Sequence, residues 1–282
     1  MKIAVLSGKG GTGKTTISTN LAWVLSKEMP IQLMDMDTEE PNSHIFFDVD
    51  FTREESTELL IPKVDNKKCT KCGKCAEVCQ FGAITVFETG VLVFDGLCHG
   101  CGACNIVCPE NAITEIPKGI GTIKLGKVGD NLSFGMGLLN IGEMSGVPII
   151  RHLKKHIDEK KTVILDSPPG VSCPVVETLR GADFAVLVTE ATPLGFHDLL
   201  LAVDVVREMN IPMGVVVNRA SDDYDQVERY IDVENISLLG KIPYDKSIAE
   251  KYSRGELFVK EDDEWFKEVR NIFENIKDVI HQ

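Results

Sequence analysis

Two groups of residues in this chain have types and spacings suited to chemistry. The first is Gly8-Lys9-Gly10-Gly11-Thr12-Gly13-Lys14-Thr15, followed by Thr16. It fits G-x-x-x-x-G-K-[ST], a loop whose backbone N–H groups turn inward around phosphate oxygens. The N-terminus of the helix that follows adds positive partial charge. In such a loop Lys14 reaches the β- and γ-phosphates of a nucleotide, and the Thr15 hydroxyl ligates Mg²⁺. The second group is a pair of cysteine runs, Cys69-x-x-Cys72-x-x-Cys75-x-x-x-Cys79 and Cys98-x-x-Cys101-x-x-Cys104-x-x-x-Cys108. They hold eight of the nine cysteines, which marks a metal site and not a scattered disulfide framework. Zinc favours separated C-x-x-C pairs. Two equal four-cysteine runs point instead to iron–sulfur chemistry.

The elements that must position these groups are legible around them. Short apolar runs at 31–34, 163–165, 185–188 and 215–217 read as buried parallel strands. Helical patterns follow several of them, as at 198–209, and a helix is expected to start near Lys14. Strands alternating with helices predict an α/β fold, a mostly parallel sheet covered on both faces. Ligands in such folds sit at the carboxyl ends of the strands. The pattern breaks near Pro62 and resumes near Pro148, and the cysteine runs lie inside the break. Each run ends alike, in Phe81-Gly82-Ala83-Ile84-Thr85 and Glu110-Asn111-Ala112-Ile113-Thr114, which is an internal duplication. The expected division is residues 1–64 and 118–282 for the α/β domain, with 65–117 as a small inserted α+β domain. Residues 120–141 read as a hairpin or meander. Trp265, Val269, Ile272, Phe273, Ile276 and Ile280 fall at helical spacing, expected to pack on the protein's own core.

With 282 residues and 43% hydrophobic content, the chain can bury a substantial core. Its net charge of −13 opposes general attraction to nucleic acid or anionic lipid. No apolar run approaches the length of a membrane span, and the N-terminus carries no leader pattern. The expectation is a cytoplasmic protein without a nucleic-acid partner or stable membrane anchor.

The phosphate loop also carries a resemblance. Lys9-Gly10-Gly11-x-Gly13-Lys14-Thr15 resembles the deviant Walker A pattern of the MinD/ParA family of P-loop ATPases, which also includes the nitrogenase iron protein. The resemblance implies ATP binding and hydrolysis with Mg²⁺. It also implies a nucleotide-dependent homodimer, in which Lys9 crosses to the partner's nucleotide. Asp166, in Val163-Ile164-Leu165-Asp166-Ser167-Pro168-Pro169-Gly170, falls where that family's Walker B carboxylate holds Mg²⁺ through water. Asp35-Met36-Asp37 resembles its switch I, with Asp37 orienting or deprotonating the attacking water. Asn218-Arg219 resembles the adenine-reading segment, and Pro243-Tyr244-Asp245 the loop beside the base.

The cysteine runs resemble bacterial two-cluster ferredoxins. That likeness implies two [4Fe-4S] clusters with crossed ligands: Cys69, Cys72, Cys75 and Cys108 for one, Cys98, Cys101, Cys104 and Cys79 for the other. Gln80 stands where the first run would have Pro, as Pro109 follows the second. The whole chain resembles a prokaryotic family of MinD-like ATPases interrupted by such a ferredoxin. The function so implied couples nucleotide state to electron transfer, with an unidentified redox or acceptor protein as partner. Iron–sulfur cluster assembly and MinD-like positioning are the alternatives. Cys173 is expected to be a small buried thiol. His99, in the second cysteine loop, is expected to be solvated, and the six histidines show no metal-like spacing.

Overall fold

The computed structural model describes residues 1–221 and 223–281. β1 (Lys2–Leu6) leads through the glycine loop into α1 (Lys14–Leu25) and back as β2 (Ile31–Asp35). β3 (Asp50–Val64) then runs to α2 (Lys74–Val78), the hairpin β4 (Ile84–Phe87) and β5 (Gly90–Val93), and α3 (Ala103–Ile106). β6 (Ile113–Val128) returns beside β3 and turns into β7 (Leu132–Leu139). From there strands and helices alternate: α4 (Val147–Lys154), β8 (Thr162–Asp166), α5 (Cys173–Leu179), β9 (Phe184–Glu190) and α6 (Pro193–Glu208). β10 (Met213–Ala220), α7 (Gln226–Val233), β11 (Ser237–Pro243), α8 (Lys246–Ser253) and α9 (Asp263–Ile280) complete the chain.

Nine strands form one sheet in the order β11-β10-β9-β1-β8-β2-β7-β6-β3. The first seven in that order are parallel, while β6 runs antiparallel to both β7 and β3. β2 and β9 are buried at every position, the signature of strands covered on both faces. One apolar cluster packs α1 and α9 on one face, through Ile17, Leu21, Val269 and Phe273. Another packs α4, α5, α6 and α7 on the opposite face, through Ile149, Val175, Val203 and Ile231. The α/β fold expected from the sequence is therefore present, and α9 buries the stripe that its spacing predicts.

The antiparallel edge is a long ribbon. β3 and β6 pair from Asp50↔Lys127 out to Val64↔Ile113. Residues 65–112 hang from its far end. The ribbon begins seven residues before the hairpin that the sequence predicts at 120, and a boundary at 117 falls inside it, where Pro117 pairs with Leu60. Beyond the ribbon, the hairpin β4–β5 and the short helices α2 and α3 enclose a small apolar cluster of Ile84, Cys104 and Ile113.

Candidate functional site

The ends of five strands, β1, β2, β8, β10 and β11, converge on one cavity of about 620 Å³, to which the segment after β8 contributes Pro169. The glycine loop after β1 contributes Gly10, Gly11, Gly13, Lys14, Thr15 and Thr16; the segment after β2 contributes Asp37; and β10 contributes Asn218 and Arg219. Pro243, Tyr244 and Asp245 close it after β11, with Tyr252 of α8 on the same wall. This is the carboxyl edge of a parallel sheet, where such folds bind ligands.

Gly13 makes the loop possible. Its φ is +97°, and a Cβ there would stand 2.2 Å from Asn218 Nδ2. Asn218 uses that closeness to donate to the Thr12 carbonyl at 2.8 Å. Asn218 also lines the cavity, so one side chain both braces the loop and forms part of the wall. Lys14 is buried, and burial lowers its pKa against the opposing pull of Asp166 and Asp37. An anionic ligand in the cavity would supply the countercharge that it lacks.

Two carboxylates lie beneath the loop. Asp35 and Asp166 end adjacent strands and are register partners. Asp166 accepts from the Ser18 and Ser43 hydroxyls at 2.9 and 2.7 Å. Asp35 accepts from the backbone N–H groups of Asp37, Asn42 and Ser43. Burial raises both carboxyl pKa values, and Asp166 raises that of Asp35 further. Two buried acids side by side resist full ionisation without a cation. That donor set, with the Thr15 hydroxyl, fits a hard divalent ion such as Mg²⁺ held near the loop. Asp37 lies closer to the cavity, capped by the Glu40 N–H at 3.3 Å, and burial raises its pKa too.

Lys9 does not line the cavity. Its amine lies 3.7 Å from Glu190 and 4.0 Å from Asp198, and Gly8 packs against the Asp198 backbone. Glu190 also accepts from Arg219 at 2.6 Å, so it joins the loop lysine to the cavity wall. Ser18, Ser43, Glu190 and Tyr252 were not singled out in the sequence. Only Ser18 offers a signal there, one helical turn after Lys14.

The cysteines form a separate pair of sites. Cys69, Cys72, Cys75 and Cys108 surround one hollow, and Cys79, Cys98, Cys101 and Cys104 surround a second. Each run thus sends its fourth cysteine to the other run's loop. The duplication extends to the backbone. Lys71 N–H donates to Cys69 Sγ and Gly100 N–H to Cys98 Sγ, both at 3.4 Å. Ala83 N–H donates to Cys79 Sγ and Ala112 N–H to Cys108 Sγ, both at 3.3 Å. Left-handed backbone recurs at matched positions: Lys71 and Gly100, Gly73 and Gly102, Gly82 and Asn111. Such turns aim N–H groups at the sulfurs.

Sulfurs on a single zinc ion, each about 2.3 Å from it, would lie about 3.8 Å apart. Among the described residues no three of these sulfurs lie within 4.8 Å of one another. The quartets are spaced for something larger than one ion, and four soft thiolates with N–H donors at the sulfurs fit a cubane. Burial pushes the Cys104 thiol up to about 11 and raises Cys75 and Cys98 as well. These groups stay protonated until a cation displaces the protons. Cys173 is exposed at the start of α5, which corrects the expectation of a buried thiol: Pro174 sets the first turn and leaves residue 173 at the rim. His99 is exposed and stacks on Phe81, with ring centroids 3.7 Å apart.

Known proteins share this architecture. An uncharacterised protein of Methanocaldococcus jannaschii is 35% identical over 99% of this chain and 98% of its own length. An iron-sulfur cluster carrier protein of Aquifex aeolicus is 26% identical over 99% of this chain and 67% of its own. The cell division ATPase MinD of Pyrococcus furiosus superposes with a TM-score of 0.61 at 20% identity, covering 99% of this chain and 98% of that one. Among the described residues no helix is long and apolar enough to cross a membrane. Residues 3–258 match the CobQ/CobB/MinD/ParA nucleotide binding domain, and the chain belongs to that family.

Proposed function

We propose that this chain binds and hydrolyses Mg-ATP in the strand-end cavity and couples its nucleotide state to electron transfer through two [4Fe-4S] clusters at residues 65–117. The observation that carries the reading is the crossed assembly of eight cysteines into two quartets on a ribbon rooted beside the cavity. In this reading Lys14 and the loop N–H groups hold the β- and γ-phosphates. Thr15 ligates Mg²⁺, Asp166 holds it through water, and Asp37 positions or deprotonates the attacking water. Asn218, Arg219 and Pro243 flank the base. Lys9 releases Glu190 and reaches the partner's nucleotide when two copies close. Bound in the quartets, each cluster supplies one-electron chemistry.

The two regions are joined through the segment after β2. Thr38, next to Asp37, accepts from Leu139 N–H of β7 at 2.8 Å. β7 pairs with β6, which pairs with β3. A shift of Asp37 and Thr38 on nucleotide binding therefore has a hydrogen-bonded route to the ribbon. The test is EPR of the reduced, anaerobically purified protein without nucleotide, with ADP and with a non-hydrolysable ATP analogue. Two [4Fe-4S] signals whose potentials or coupling change with nucleotide support the reading. Two signals indifferent to nucleotide, with or without candidate redox proteins, would sink it.

A second reading is supported by the names of relatives. Four iron-sulfur cluster carrier proteins align with this chain at 23–26% identity. Cys72 and Cys101 are exposed within the quartets, open to an acceptor. Rapid loss of iron from the loaded protein to an apo-acceptor, faster with ATP, would favour cluster delivery over electron transfer.

A further inference from the structure

A second metal-ligating group, made of no cysteine, lies at the antiparallel edge of the sheet, among residues that do not line the nucleotide cavity. Glu55 of β3 meets His152 of α4 and His156 in the turn after it. His152 Nε2 lies 3.3 Å from Glu55 Oε2, and His156 Nε2 lies 3.4 Å from Oε1. One ligand atom from each of the three residues lies within 4.8 Å of the others. No other group of three His, Cys or carboxylate ligands meets that spacing among the described residues. The sequence reading found no metal-like spacing in the histidines. The interval of four between 152 and 156 places both imidazoles on one side of a helix end, but the carboxylate that completes the set comes from a strand almost a hundred residues earlier.

We propose that Glu55, His152 and His156 form a binding site for one divalent transition ion of the Zn²⁺ class, with its fourth position open to water. Two ligands held about 2.0–2.1 Å from such an ion at a tetrahedral angle stand about 3.3 Å apart. Each imidazole stands at about that spacing from one of the two carboxylate oxygens, His152 from Oε2 and His156 from Oε1. A plain hydrogen-bonded cluster accounts for the contacts less well. Neither imidazole meets Glu55 with hydrogen-bond geometry, and Glu55 Oε1 is buried without a hydrogen-bond partner among the described residues. Arg53 Nε forms an ion pair with that oxygen at 2.5 Å, so a cation entering the site must displace this guanidinium.

The surrounding contacts are those that orient ligating imidazoles. Thr57 Oγ1 lies 2.8 Å from His152 Nδ1, a hydrogen bond that fixes the ring and leaves Nε2 for a metal when Nδ1 carries the proton. Gln32 donates to the His156 carbonyl at 2.9 Å and accepts from Asp158 N–H at 2.8 Å. That pair pins the turn holding His156 to the start of β2. Two imidazole nitrogens and one carboxylate suit a borderline ion better than Mg²⁺ or Ca²⁺, which favour all-oxygen sets. A bound ion would tie β3 to α4, and so fix the root of the ribbon that carries the cysteine quartets.

The experiment uses the full chain loaded with iron, so that the cysteines are not free to bind the probe. Co²⁺ is titrated in and followed by its visible spectrum and by metal analysis after gel filtration. One Co²⁺ per chain is expected, with nitrogen–oxygen bands and no intense thiolate-to-cobalt absorption, together with a higher melting temperature. His152→Ala and His156→Ala should abolish that binding. Thr57→Val should weaken it about tenfold. Glu55→Gln keeps the side-chain shape and should also lose the ion; retained binding of an ATP analogue verifies that each variant is folded. Absence of Co²⁺ beyond the cysteine sites, or Co²⁺ binding that a folded Glu55→Gln variant leaves unchanged, overturns the proposal.

Discussion

Asn218 and Gly13 show how little room the nucleotide loop leaves. An alanine at 13 must hold a left-handed backbone and drive its methyl into the Asn218 amide. Gly13→Ala should cost at least about 1–2 kcal/mol from the backbone alone and weaken ATP-analogue binding, read by thermal melting and titration calorimetry. Asn218→Ala leaves the Thr12 carbonyl without its buried donor and should cost about 1–3 kcal/mol. Asp166 gives a pH signature. Burial raises its folded pKa above the unfolded carboxylate value, so the folded chain holds the proton more tightly. Stability from this group is complete below the unfolded value and is lost as pH rises through the folded one. Asp166→Asn removes the charge and keeps one acceptor oxygen for the two serine hydroxyls, with the amide N–H donating to the other serine oxygen. Without Mg²⁺, its melting temperature should gain on the wild type as pH rises through that window. At the cysteines, Cys108→Ser should remove the cluster wrapped by Cys69, Cys72 and Cys75, although it stands in the other run. Iron content should fall by about half, with the EPR signal of the second quartet retained. The glycine loop and the two groups of gathered cysteines were legible because residue type and interval are both written in the chain. Ser18 and Ser43 were not, because a hydroxyl that supports a buried carboxylate has no fixed spacing from it.

At the scale of elements, the strands that sequence patterning found are those buried on both faces. β3 escaped it. Arg53, Glu54, Glu55, Glu58 and Lys63 give it no continuous apolar run, and most of its residues are exposed. Its inward positions, Glu55, Thr57, Leu59 and Ile61, alternate with exposed ones, but the first two are polar, so the sequence shows no apolar alternation there. Its register is held by pairing with β6 across its full length. Because Val64 and Ile113 are direct partners, residues 65–112 can be replaced by Asn-Gly, which closes a two-residue hairpin. The excised chain should fold, keep nucleotide binding, and hold no iron. Circular dichroism and calorimetry check this, and an unfolded product would mean that the cysteine domain supports the sheet.

At the scale of the whole molecule, the alternation of strands and helices disclosed the architecture, whereas the break expected near Pro62 falls inside β3, where Pro62 pairs with Glu115. The strand order was beyond reach, because which strands neighbour which depends on crossovers that leave no local mark. Nor could the sequence show that Thr38, next to Asp37, accepts from the β7 backbone. Its side chain packs against Gly137 and Gly146, where a Cβ at 146 would stand 1.9 Å from Thr38 Oγ1. Gly146→Ala must displace Thr38. ATP-analogue affinity should change little, while any nucleotide-dependent change in the EPR spectrum should shrink. An unaltered response would place the coupling route elsewhere.

The crossing of the fourth cysteines also sets an order in time. During synthesis from the N-terminus, the first run alone never completes a quartet, since Cys108 is the last ligand to leave the ribosome. The second quartet is complete four residues sooner, at Cys104. Iron loaded onto a nascent chain would therefore close the downstream site first. Stalled chains from which Cys104 has emerged and Cys108 has not should hold one cluster, spectroscopically that of Cys79, Cys98, Cys101 and Cys104.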